Sequence, residues 1–188
     1  MIAALAAARV MDHGYQAAIM APTEILAEQH YLKMKEWFEP LGAQIAWLSG
    51  SLKAKEKKLA QELIEDGAAQ LIIGTHALIQ ENVRFAKLGL AVIDEQHRFG
   101  VRQRLEIQQR VGSELFYCHQ LMMSATPIPR TLAMTYYADL DVSVIDELPP
   151  GRKPIATKVV KASRREEVIQ GLQSWLSKGL QAYWVCPL

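Results

Sequence analysis

Four apolar residues in unbroken succession, Leu90-Ala91-Val92-Ile93, run straight into two adjacent carboxylates, Asp94 and Glu95. A run of this kind, without the alternation of a half-exposed strand, is expected of a strand buried on both faces of a parallel sheet. In open α/β sheets ligands bind beyond the carboxyl ends of the strands, so Asp94 and Glu95 fall where chemistry is usually done. Successive strand side chains point to opposite faces, which lets the two carboxylates divide their labour. One can hold Mg²⁺ through retained waters while the other orients a water toward a phosphoryl group. A plainer use is equally consistent with these residues alone: acidic side chains cap the next helix and favour its dipole.

A second apolar run, Leu121-Met122-Met123, ends in Ser124, Ala125 and Thr126, followed by Pro127-Ile128-Pro129-Arg130. Read by itself it is a strand leading to a helix, with Thr126 as the cap and prolines in the first turn. Read beside Asp94 and Glu95, it is a second polar cluster at the end of a buried strand.

The rest of the chain alternates helix and strand. Residues 2–11 are strongly helix-forming, start with no capping residue, and are followed by Gly14. Residues 16–21 read as a strand, after which Thr23 can cap a helix whose buried stripe is Ala27, Tyr31, Met34 and Phe38. Residues 43–48 form the next strand, and Gly50-Ser51 open a helix with Leu59, Leu63 and Ile64 inside and Lys53, Lys55, Lys57 and Lys58 on a solvated face. A strand at 70–73 ends at Gly74-Thr75-His76, residues that suit a turn, a close backbone approach, or both. Further strands are expected at 142–145, 155–160 and 182–186. A capping box at Ser163 opens a helix toward Lys178 that closes at Gly179. The proline-rich segment 148–154 reads as a stiff linker. The fold expected is α/β, a parallel sheet flanked by helices over 1–147, with the beginning of a second lobe over 155–188.

Composition narrows the function. Lys and Arg number 21 against 20 Asp and Glu, so no global basic field announces a nucleic-acid partner, and any such contact must be local. The two cysteines, Cys118 and Cys186, lie in no metal-ligand spacing and suggest a reducing compartment, the cytoplasm, without a disulfide framework. The five histidines are scattered, which argues against a structural zinc site. No apolar run approaches membrane-spanning length, so no membrane association is expected.

Taken together, Asp94-Glu95-Gln96-His97 and Ser124-Ala125-Thr126 resemble motifs II and III of superfamily 2 helicases. With Arg98-Phe99-Gly100-Val101, Pro127 to Leu132 and Gly74-Thr75-His76-Ala77-Leu78, the resemblance narrows to the RecG family of branched-DNA helicases. The Mfd family of transcription-repair translocases is a close relative; Gln96, where that family usually has a glutamate, favours the RecG family. The resemblance extends over the whole chain.

The resemblance implies RecA-like motor lobes, ATP and Mg²⁺ as cofactors, and forked or branched DNA as the partner, gripped by its backbone. Asp94, Glu95, Gln96 and His97 become catalytic candidates, with Asp94 assisting Mg²⁺ and Glu95 polarising the attacking water. Ser124, Ala125, Thr126 and Arg130 become coupling candidates, and Pro22, Thr23, Gly74, Thr75 and His76 contacts to DNA phosphates. Arg98 and Arg102 join them because guanidinium groups suit phosphate, although arginines at such a junction are equally often solvated or ion-paired. The Gly-Lys-Ser/Thr loop that cradles ATP phosphates occurs nowhere in the 188 residues. An upstream strand and loop are therefore expected to be missing, leaving a gap in the sheet and the isolated chain inert. Mfd-like translocation and a non-catalytic nucleic-acid-binding module are the alternatives.

Overall fold

The computed structural model of the chain describes residues 1–95, 99, 118–126, 141–147 and 151–186. It divides into two units, Met1–Asp139 and Leu140–Leu188. The division precedes the proline-rich segment that reads as a linker.

In the first unit, helix α1 (Ile2–Asp12) leads to β1 (Gln16–Met20), α2 (Glu24–Phe38), β2 (Ile45–Leu48), α3 (Ala54–Glu65), β3 (Leu71–Gly74), β4 (Leu88–Ile93) and β5 (His119–Met122). Short 3₁₀ turns at Glu39–Leu41 and His76–Ile79 follow α2 and β3. The strands form one sheet in the order β2-β3-β1-β4-β5, parallel at every pairing. Each neighbour is hydrogen-bonded to the next, so among the described residues the expected gap in the sheet is absent.

Strand periodicity sorts the core into two layers. Ala17 and Ile19, Leu71 and Ile73, and Leu90 and Val92 face one side, where they meet Ala3, Ala4 and Ala7 of α1 and Met34 and Phe38 of α2. Met20, Ile72, Ala91 and Ile93 face the other, against Ala60 and Ile64 of α3. Every residue of β1 and β3 is buried, as the apolar runs require, whereas edge strand β5 is only half-buried.

At the amino ends of the strands the frame is tied by a buried glutamine. Gln16, 3% exposed, donates from Nε2 to the carbonyls of Ile64 and Ala69, 2.9 Å each, and its Oε1 accepts the Lys87 N–H at 2.9 Å. One side chain thus joins the end of α3, the approach to β3 and the approach to β4. Below it the Lys87 ammonium lies 4.1 Å from the Tyr15 ring centroid.

Several sequence expectations are corrected. Gly50-Ser51 form a turn, with the Ser51 N–H donating to the Glu24 carboxylate at 3.0 Å, and do not open α3, which starts at Ala54. Leu59 is exposed, and the inner face of α3 is Ala60, Leu63 and Ile64. In the second unit a 3₁₀ turn (Ala162–Arg164) leads into α4 (Arg165–Leu176) without a side-chain cap from Ser163. Gly179 closes the helix as expected, with φ +79° and the Leu180 N–H reaching back to the Trp175 carbonyl at 3.3 Å. Residues 142–145, 155–160 and 182–186 are not strands. A strand is stable only when hydrogen-bonded to a neighbour, and among the described residues these segments have no partner strand; their side chains are largely exposed. Among the described residues no helix is long and apolar enough to cross a membrane.

Candidate functional site

The five strands end level. Leu48 pairs with Gly74, Gly74 with Met20, Met20 with Ile93, and Ile93 with Met122. The ladder continues one residue further, with the N–H of Thr75 on the Leu48 carbonyl, Ala21 on Gly74, Asp94 on Met20 and Met123 on Ile93, at 2.8 to 3.2 Å. Five polar loops therefore leave one rim side by side. Across it they read Ser49-Gly50-Ser51, Thr75-His76, Pro22-Thr23, Asp94-Glu95 and Ser124-Ala125-Thr126.

Alternation along β4 determines where Asp94 points. Ile93 faces the α3 layer, so the next side chain is directed to the opposite layer, where α2 lies. There the His30 Nε2 is 2.7 Å from Asp94 Oδ2. The other carboxylate oxygen accepts the N–H of Glu95 at 3.0 Å. The His30 hydrogen bond is the main reason the Asp94 carboxyl titrates below its ordinary value, outweighing the desolvation that pushes it up. Glu95 leaves the strand with φ +50°, the left-handed region that a non-glycine residue enters at a cost of about 1–2 kcal/mol. The turn sends the second carboxylate away from the path a continuing strand would give it.

Sequence reasoning missed His30. The signal was available: with Ala27, Met34 and Phe38 it falls at helical spacing on the buried face of α2, so a polar ring interrupts an apolar stripe.

Thr23 caps α2 as expected, its Oγ1 accepting the Leu26 N–H at 3.4 Å, and its side chain is exposed beside half-buried Pro22. The adjacent Glu24 bridges to the loop after β2; its hydrogen bonds from Ser51 lower its carboxyl pKa. Thr75 is 2% exposed and its hydroxyl accepts the Ala77 N–H at 3.5 Å, starting the 3₁₀ turn, while His76 is exposed. Gly74 has a packing reason to lack a side chain, since a Cβ there would collide with the Leu48 carbonyl oxygen. Ser124, Ala125 and Thr126 are exposed, and the Thr126 N–H donates to Ser124 Oγ at 3.1 Å. Gln96, His97, Arg98, Arg102 and Arg130 lie outside the described residues.

The donor set suits Mg²⁺ in one particular way. Asp94 offers only carboxylate oxygens, each already accepting one hydrogen bond and retaining further lone pairs. Among the described residues no group of three or more His, Cys, Asp or Glu gathers as a metal cage. One carboxylate without a cage fits a hydrated hard cation that shares its coordination with phosphates.

A five-stranded parallel sheet flanked by helices, its polar loops leaving one level rim, has the RecA-like fold of helicase domains. The chain belongs to the DEAD/DEAH box helicase family, whose family model matches residues 1–135. Over its full length it is similar to the ATP-dependent DNA helicase RecG: 54% identical to the proteins of Haemophilus influenzae and of Escherichia coli strain K12, and 49% to that of Aquifex aeolicus. It spans about a quarter of the length of these relatives. A solved structure of RecG bound to a three-way DNA junction matches the whole chain with a TM-score of 0.79 at 42% identity, the chain covering 24% of that protein. The DUF1998 helicase MrfA bound to DNA matches 72% of the chain with a TM-score of 0.57 at 18% identity, a likeness of fold.

Proposed function

We propose that the chain is part of the motor of an ATP-dependent helicase that acts on branched DNA, since its RecG relatives are named ATP-dependent DNA helicases and RecG has been solved bound to a three-way DNA junction. The observation that carries the reading is the rim itself, where Asp94 and Glu95 stand between the Thr23 loop and the Ser124–Thr126 turn. Asp94, oriented by His30 and the Glu95 N–H, would hold a hydrated Mg²⁺, and Glu95 would orient the water that attacks the terminal phosphoryl group. Mg²⁺ bound there would supply charge neutralisation on the phosphates. Ser124 and Thr126 relay the state of the nucleotide site to the loops on the other side of β1. Gln96, His97 and Arg130 extend the catalytic and coupling sets.

Contact with DNA falls to the half of the rim that holds Thr23, Pro22 and His76, with Gly74 and Thr75 shaping the loop and Arg98 and Arg102 adding charge. Contacts of this kind address phosphates, so binding is insensitive to sequence and falls steeply with salt. Residues 155–188 open a second lobe in this reading. No Gly-Lys-Ser/Thr loop is present in these 188 residues, so the chain by itself is inert toward ATP.

The test is Glu95→Gln in a full-length RecG carrying this sequence. ATP turnover stimulated by forked DNA drops by about a hundredfold or more while DNA affinity is kept, because the base is lost and the phosphate contacts are not. Near-normal turnover in that variant sinks the assignment of Glu95.

A further inference from the structure

The Thr23 loop and the Asp94 carboxylate belong to different strands and, in the proposed function, to different tasks. A single helix reaches both. Thr23 is the N-cap of α2, and His30, seven residues on, is two turns along the same helix, roughly 10 Å from the cap at about 1.5 Å per residue. Its ring bonds Asp94 across 64 residues of sequence, with the two side chains only 27% and 20% exposed. Most other contacts of α2 with the sheet layer are apolar packing, by Ala27, Met34 and Phe38 with half-buried Tyr31 against Trp47. Among the described residues the one other polar tie, Glu24 to the Ser51 N–H, sits at the cap end of the helix and not beside β4. The His30–Asp94 bond is directional and, to a carboxylate, strong. Its 2.7 Å separation leaves no room for the helix to advance toward β4. A retreat of one ångström would stretch it beyond useful hydrogen-bond range.

From this geometry we propose that His30 is a positioning residue that transmits movement of the DNA-facing end of α2 to the Asp94 carboxylate, and so couples DNA binding to nucleotide binding. The inference rests on the proposed function and names the connection within it. A rigid helix gripped at its cap carries displacement to His30, and His30 has one partner in the nucleotide half of the rim to act upon. Because coupling between two binding sites is reciprocal, His30 contributes equally to the effect of DNA on nucleotide affinity and to the effect of nucleotide on DNA affinity.

The experiment measures a ratio. In a full-length RecG carrying this sequence, the Kd of a fluorescent, non-hydrolysable ATP analogue with Mg²⁺ is determined with and without forked DNA, and the Kd of the fork with and without the analogue. The parent is expected to give the same ratio in both directions, on the order of tenfold. His30→Ala brings both ratios toward one, whatever happens to the absolute affinities. His30→Gln, which keeps a donor of similar reach, restores part of the ratio, and its thermal unfolding profile beside the parent's separates lost coupling from lost folding. Parent-like ratios in His30→Ala overturn the role of His30 alone. A parent that binds neither analogue nor fork overturns the proposed function and this inference together.

Discussion

Gly74 of β3 lies against the carbonyl oxygen of Leu48 at the end of β2, so closely that a Cβ on Gly74 would overlap that oxygen. The contact comes at the last paired position of both strands, one residue before the Thr75 N–H bonds the same carbonyl at 3.2 Å.

Gly74→Ala is therefore expected to lower stability by about 2–3 kcal/mol, because the obstacle is backbone and cannot rotate away. Urea unfolding followed by circular dichroism reads the shift in midpoint. A change within experimental scatter would mean that the ends of β2 and β3 separate easily. DNA binding lost in this variant would then report a distorted rim and not a missing phosphate contact.

At the opposite end of the sheet, Gln16→Leu deletes three hydrogen bonds while keeping a buried side chain of similar size. It leaves the carbonyls of Ile64 and Ala69 and the N–H of Lys87 without this partner. The expected loss is about 2–4 kcal/mol, since each buried polar group stripped of its partner costs roughly 1–3 kcal/mol and some will find water. The same denaturation measurement checks it, and a neutral result would show that the amino ends of the strands are held by packing alone.

Glu95→Gly should separate stability from chemistry. Glycine accepts φ +50° without the clash of a Cβ, so the variant unfolds at a denaturant concentration no lower than the parent and gains up to about 1 kcal/mol. ATP turnover in the full-length protein is lost. A variant clearly less stable than the parent would mean that the Glu95 side chain contributes more to the fold than its backbone takes away.

The two thiols should react at different rates. Burial pushes Cys118, just before β5, up to about 11, whereas the Cys186 side chain is exposed. At pH 8 about one part in a thousand of Cys118 is thiolate. Iodoacetamide followed by peptide mass spectrometry should thus find Cys186 modified first. The Cys118 rate climbs about tenfold per pH unit until near pH 11, provided the fold survives. Equal rates at pH 8 would place Cys118 in a far wetter setting.

The first unit was legible wherever a local signal sufficed. The runs that became β1, β3 and β4 are apolar because both faces of the sheet are covered, and alternation along β4 alone sends Asp94 toward the layer of α2. Thr23 caps its helix through a bond three residues long. What escaped the sequence is non-local: His30 meets Asp94 through tertiary packing, Gly74 owes its identity to a carbonyl on another strand, and Ser51 is held by Glu24 from a different loop. The strands expected at 142–145, 155–160 and 182–186 failed for the same reason. Apolar, β-branched composition describes a segment able to pair, and pairing depends on a neighbour that its own residues do not encode.

The sheet has two rims with different occupations. The Gln16 clamp and the Lys87–Tyr15 contact hold one of them, and the expected site residues that fall among the described residues stand on the other. Damage to the first should show up as less protein in the cell, and damage to the second, Gly74 apart, as normal amounts of protein that no longer works. A mutational survey scoring abundance and ATP turnover separately would draw the boundary between them along the middle of five short strands.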